Sequence, residues 1–300
     1  MAPEAMELFD NPAIRIFAGP LLSALGLGLV LRLAGGAGSG RRIAGAGIGL
    51  AFAWSAAMVF GAPAIPPVPG PDALVSAAAA GLIVGVVFDV YGTGENAGGG
   101  RLAGWPGWLE WGLILAFGAG CAAWLLDGFG AEVPVVMALW GLTVYRLRRV
   151  FGRDVDVLAG DALAPLAMLM MAAAGLGLIA AAANLESSRD LALALAAAIA
   201  GFAMLSLFDR SLRFGLTPVL GAGGGILMIS VRMTDAAPFL IPAVAILGFI
   251  LFADSLFRQP ALARIGAFRW GRFGLIALGG TVPIALAAAA ALIGAGFGGY

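Results

Sequence analysis

Six aspartates, Asp89, Asp154, Asp156, Asp161, Asp209 and Asp254, stand at the ends of long apolar runs, with arginines close by. Residues 145–161 (YRLRRVFGRDVDVLAGD) are the densest case, carrying Arg146, Arg148, Arg149, Arg153, Asp154, Asp156 and Asp161. Carboxylates set among arginines suit a magnesium ion and a phosphorylated ligand. Mg²⁺ takes hard oxygen ligands, usually one or two carboxylates plus phosphate oxygens, and the guanidinium fork matches phosphate geometry. Residues 221–225 (GAGGG) add side-chain-free backbone whose N–H groups could approach an anion closely. Competing readings are structural: each aspartate caps a helix or pairs with a nearby arginine, such as Asp209 with Arg210 or Arg213. The glycines equally suit tight helix packing in lipid.

The elements that must position these residues are apolar spans. Of 300 residues 61% are hydrophobic and 11% charged, far below the roughly 25% charged of a globular chain. A hydrocarbon core about 30 Å thick needs about 20 apolar residues per helix. Such runs fall near 13–34, 43–61, 73–90, 107–126, 133–149, 157–183, 190–208, 216–234, 236–253 and 273–297. The expectation is an all-α polytopic protein of about ten transmembrane helices, with residues 1–300 forming a single integral-membrane domain. The acidic start, MAPEAMELFD, lacks the basic region of a signal peptide, so the first span is expected to stay in place.

Composition also excludes chemistry. There is no histidine, so neither a histidine base nor a histidine metal ligand is available. The single Cys121 lies in an apolar run and reads as a buried small hydrophobe. No Walker loop, nucleophile elbow or nucleic-acid-binding patch is present. Arg232 fits an interfacial position, and Glu110 reads equally as an intramembrane functional carboxylate or as an interfacial one beside Trp108 and Trp111 in an aromatic belt. All 17 basic residues are arginines, and all but Arg15, Arg189 and Arg232 fall in loops after odd-numbered spans. Because short cytoplasmic loops retain positive charge, this places both termini on the periplasmic side and the aspartates on the cytosolic face.

Taken in order, the landmarks resemble the polyprenyl-phosphate sugar-1-phosphate transferases, the MraY/WecA-like membrane family. Residues 41–52 (RRIAGAGIGLAF) resemble its PRGGGIAI-type second span, and residues 81–92 (GLIVGVVFDVYG) the segment that ends in paired aspartates. Residues 138–160 are similar in placement to its NxxNxxDGxDG loop. Residues 201–225 (GFAMLSLFDRSLRFGLTPVLGAGGG) resemble the run leading to its FLGDxGS motif. The chain departs from the family where chemistry is concentrated. Val90 replaces the second paired aspartate, Phe151 the first loop aspartate, Ala222 the metal-binding aspartate and Gly225 the serine, and the family's histidine motif is absent.

The resemblance implies a phospho-sugar transfer from a UDP-sugar to undecaprenyl phosphate, releasing UMP, at the bacterial inner (cytoplasmic) membrane during cell-envelope synthesis. It implies Asp89 and Asp154 as catalytic residues, and Asp89, Asp154 and Asp156 as ligands of Mg²⁺. Arg148, Arg149, Arg153, Gly223 and Gly224 would hold the substrate phosphates. The departures leave a second expectation open, a catalytically degenerate relative that binds lipid phosphate or scaffolds an envelope-biosynthesis partner or homodimer. A ten-helix drug/metabolite-type transporter is a third.

Overall fold

The computed structural model describes residues 11–36, 39–61, 73–91, 107–126, 132–153, 162–209, 211–212, 214–258, 262–266 and 268–297. Among them there is no strand. That is what lipid dictates for uniformly apolar segments, because a helix satisfies its backbone hydrogen bonds internally. Eight helices are long and apolar enough to cross a membrane: α1 (Ile14–Ala34), α2 (Gly40–Phe60), α3 (Ala73–Val90), α6 (Leu163–Ala182), α7 (Glu186–Phe208), α8 (Leu216–Ala236), α9 (Pro238–Ser255) and α10, with its apolar stretch at Trp270–Gly296. Two more helices, α4 (Gly107–Leu125) and α5 (Glu132–Arg153), contain shorter apolar stretches. The chain is an all-α, multi-pass membrane protein.

The bundle is built around α8. It packs against every helix from α2 to α7 and is the most fully buried span, whereas α1 and α10 leave most of theirs facing outward. Its entry is irregular, with Leu216–Pro218 leading into a π-helical turn over Val219–Gly223 and regular helix from Gly224. Glycines allow this central position. A Cβ on Gly221 would stand 3.3 Å from the Gly49 backbone of α2, and one on Gly225 2.9 Å from Leu195 of α7 and 3.1 Å from Phe52 of α2. On the other side, the Trp140 indole N–H of α5 donates to the Ile114 carbonyl of α4 at 3.1 Å, and Gly118 leaves room for the ring.

Helices α1 and α7 run parallel and touch closely, since a Cβ on Gly201 would run into the Leu21 carbonyl oxygen. An ion pair closes each end of the contact, Arg15 with Asp190 at 3.6 Å and Arg32 with Asp209 at 2.8 Å. The two arginines are 17 positions apart, about 26 Å along a helix, close to the thickness of a hydrocarbon core. Parallel first and seventh spans require an even number of reversals between them. The short helices α4 and α5 therefore both cross, or neither does.

Span boundaries expected from apolar runs agree with the helices to within a few residues at most ends. One difference has a clear cause. Helix α7 begins at Glu186 rather than near 190, since Arg189 donates to Asp190 at 2.9 Å and Asp190 also meets Arg15, which lets two charged residues join the helix. Helix α10 likewise extends back to Arg269 and runs through Pro283 without ending.

Candidate functional site

The central helix starts after Gly215, an extended residue with no side chain to cap the exposed N–H groups. Asp89 caps them from another helix. Buried at the end of α3, it accepts the Leu216 N–H on Oδ1 at 2.9 Å, and on Oδ2 both the Thr217 N–H at 2.8 Å and the Thr217 hydroxyl. A carboxylate here satisfies donors that the helix cannot and complements the positive end of its dipole. Glycines make the approach possible: a Cβ on Gly85 would lie 2.7 Å from Thr217 Cα, and one on Gly215 2.5 Å from Asp89 Oδ1. Gly81, Gly85 and Asp89 recur every fourth residue, so α3 turns a small-residue face with a terminal carboxylate toward α8.

Asp89 was expected to hold a magnesium ion. In this arrangement a divalent cation would have to compete with three donors already on the carboxylate, two of them fixed backbone N–H groups. Asp154 and Asp156 lie outside the described residues. So do the side chains of Arg148, Arg149 and Arg153, whose backbone completes the last turns of α5. Gly223 and Gly224 sit two turns into α8, about 9 Å along the axis from Thr217. Gly223 is packed under the Trp140 ring, and the Gly224 N–H bonds back to carbonyls of its own helix.

Charged groups at the ends of α1, α3, α5, α7 and α9 gather on one face with the start of α8. Arg32 is fully engaged there: Nε donates to Asp209 at 2.8 Å, one amino group to the Gly36 carbonyl at 2.8 Å and the other to the Ser211 hydroxyl at 3.0 Å. Asp209 also accepts the Ser211 N–H at 2.8 Å and the Ser211 hydroxyl. The Ser211 hydroxyl, with its N–H and Arg32 adding to it, holds the Asp209 carboxyl below its ordinary value against the opposing effect of burial. The partner of Asp209 is thus 177 positions away, while Arg210 and Arg213 lie outside the described residues.

A second constellation joins α5 to α9. Arg146 pairs with the wholly buried Asp254, donates through Nε to the Leu251 carbonyl at 3.1 Å, and lies 4.4 Å from the Phe252 ring centre. Here the chain runs as a 3₁₀ helix, Gly248–Arg258. A buried charge pair at membrane depth needs such further hydrogen bonding to be tolerated. Sequence reasoning had both residues on this face but not with each other, since 108 positions separate them.

Arg41 and Arg42 open α2 on the same face. Arg42 is close enough for its charge to act on Asp89, whereas Arg41 has a buried Nε without a hydrogen-bond partner. Among the described residues no three aspartate, glutamate, histidine or cysteine side chains come together as a metal cluster. No family model, no curated protein and no solved structure matches this chain.

Proposed function

We propose that this chain binds a lipid phosphate, polyprenyl phosphate by its resemblance, at the arginine-rich face of the bundle and does not transfer a sugar phosphate to it. The observation that carries this reading is the commitment of Asp89. The residue that the resemblance makes a catalytic metal ligand instead holds the N-terminus of the central helix with both its oxygens. The sequence departures at Val90, Phe151, Ala222 and Gly225 point the same way, since phosphoryl transfer depends on positioned metal and charge. One preorganised electrostatic contact is worth about 10²–10³ in rate. A face that keeps its arginines but spends its carboxylate on architecture retains affinity for phosphate without the means to activate it. By the arginine bias this face is cytosolic, in a bacterial inner membrane, where undecaprenyl phosphate and UDP-sugars meet.

The test is UMP release by the purified protein with undecaprenyl phosphate, Mg²⁺ and a panel of UDP-N-acetylhexosamines. The expected result is lipid retained and no UMP formed. Turnover that disappears in Asp89→Asn while the variant stays folded would overturn the reading and establish a transferase with an altered metal site.

A further inference from the structure

Most arginines that the structure describes at helix ends have found their partners. Arg32 uses three nitrogens on Asp209, Gly36 and Ser211. Arg146 is held by Asp254 and Leu251, and Arg15 and Arg189 share Asp190. Arg41 differs. Its Nε is shut off from solvent, and no acceptor among the described residues meets it. Buried N–H groups are nearly always paired, and a guanidinium cannot escape the requirement by losing its proton. Asp89, which feels the charge of neighbouring Arg42, is turned to Leu216 and Thr217. An acceptor from outside the chain would complete the Arg41 Nε–H.

Its chemistry follows from position and charge. Arg41 and Arg42 lie side by side in the turn Gly40–Ile43 that opens α2, where an apolar span begins. Two successive guanidinium groups stand here, with the charge of Arg42 felt by Asp89, so the balance favours an anion. At the boundary of a bilayer the abundant anionic acceptors are lipid phosphates, which basic pockets between cytoplasmic helix ends recognise. A guanidinium offers Nε and an amino group as parallel donors to two phosphate oxygens.

We propose that Arg41, with Arg42 beside it, is the seat of the lipid phosphate, and that the phosphate oxygens take the orphaned Nε–H. This rests on the function proposed above and moves its phosphate contact to the head of α2, away from the arginines of α5.

The experiment follows thermal unfolding of the full-length protein in detergent, titrated separately with undecaprenyl phosphate, phosphatidylglycerol and inorganic phosphate. The parent is compared with Arg41→Gln, Arg41→Lys and, as a charge-matched control, the exposed Arg264→Gln. The proposal expects lipid-dependent stabilisation of the parent and of Arg264→Gln, and binding at least about tenfold weaker in Arg41→Gln. The lipid-free midpoint of Arg41→Gln should equal or exceed that of the parent, since the substitution removes a buried N–H that lacks an acceptor. Arg41→Lys keeps the charge without the fork and should also bind more weakly, which carries the test if the glutamine variant cannot be recovered. Undiminished binding by both Arg41 variants would overturn the seat while leaving lipid binding by the parent intact. A parent stabilised by neither lipid would overturn the proposed function as well. Stabilisation by inorganic phosphate alone would make the seat one for a free anion and refute the lipid. Phosphatidylglycerol acting as strongly as undecaprenyl phosphate would support the seat and identify its occupant as bilayer phospholipid.

Discussion

Replacing Gly215 by alanine should break the connection on which the central helix depends. The backbone at this residue, φ −90° and ψ −163°, is extended and open to any L-amino acid, so alanine meets no conformational penalty there. The cost comes from the new methyl group. It would stand 2.5 Å from Asp89 Oδ1, and restoring an ordinary contact of 3.4 Å moves the carboxylate by about 1 Å. Acceptor distances of 2.9 Å and 2.8 Å to the Leu216 and Thr217 N–H groups then pass beyond hydrogen-bonding range. Hydrogen bonds to a charged group contribute about 1.5–3 kcal/mol each, so losing two, with partial recovery by relaxation, destabilises by about 3 kcal/mol. At about 2–4 °C per kcal/mol for a chain of comparable size, the unfolding midpoint falls by about 6–12 °C. The assay is thermal unfolding of detergent-solubilised protein, with Asp89→Ala and the double variant measured alongside. Once Asp89 is alanine, the methyl group at 215 has nothing to displace, so the double variant should unfold close to Asp89→Ala alone. A Gly215→Ala midpoint within about 2 °C of the parent, or full additivity in the double variant, would refute the reasoning.

Other perturbations test the rest of the frame. Gly201→Ala pushes a methyl group into the Leu21 carbonyl, where no flexible side chain can give way, and should lower the unfolding midpoint through separation of α1 from α7. Asp254→Ala strands Arg146 in the interior and should destabilise by about 3–5 kcal/mol, whereas Arg146→Met with Asp254→Leu should recover most of that loss; denaturation of the three variants decides it. Because Asp209 has its folded value depressed, its contribution to stability is present above the unfolded value of about 3.9 and disappears as pH falls through the folded one. Ser211→Ala should move that acid loss to higher pH, and Asp209→Asn should remove its share of the pH dependence, both read from unfolding midpoints between about pH 2 and 6.

The spans were legible because lipid demands long apolar helices whatever their function, and the arginine bias marked which ends share a face. Asp89 was visible as a charge at the end of a span, but its role depends on Leu216 and Thr217, 127 and 128 positions later. One local signal pointed to that role: the four-residue spacing of Gly81, Gly85 and Asp89 announces a face meant for close approach of another helix. A bare glycine at 215 just ahead of Leu-Thr-Pro is the matching sign of a helix start that lacks its own cap. The pairs Arg32–Asp209 and Arg146–Asp254 left no local trace, since nothing in the spacing of one chain tells which distant helices become neighbours. The glycines at 221–225 carried two readings in sequence, anion cradle and tight packing. At Gly221, Gly223 and Gly225 the surroundings are those of close packing, against Gly49, Trp140, Leu195 and Phe52.

On the proposed function, this protein recognises the phosphate of a lipid rather than its hydrocarbon chain. Native mass spectrometry of the parent with equimolar polyprenyl phosphate and the corresponding polyprenol tests it most directly. The expected result is adducts with the phosphorylated lipid at concentrations where the alcohol gives none, and their loss in Arg41→Gln. Equal occupancy by the two lipids, or by neither, would contradict it.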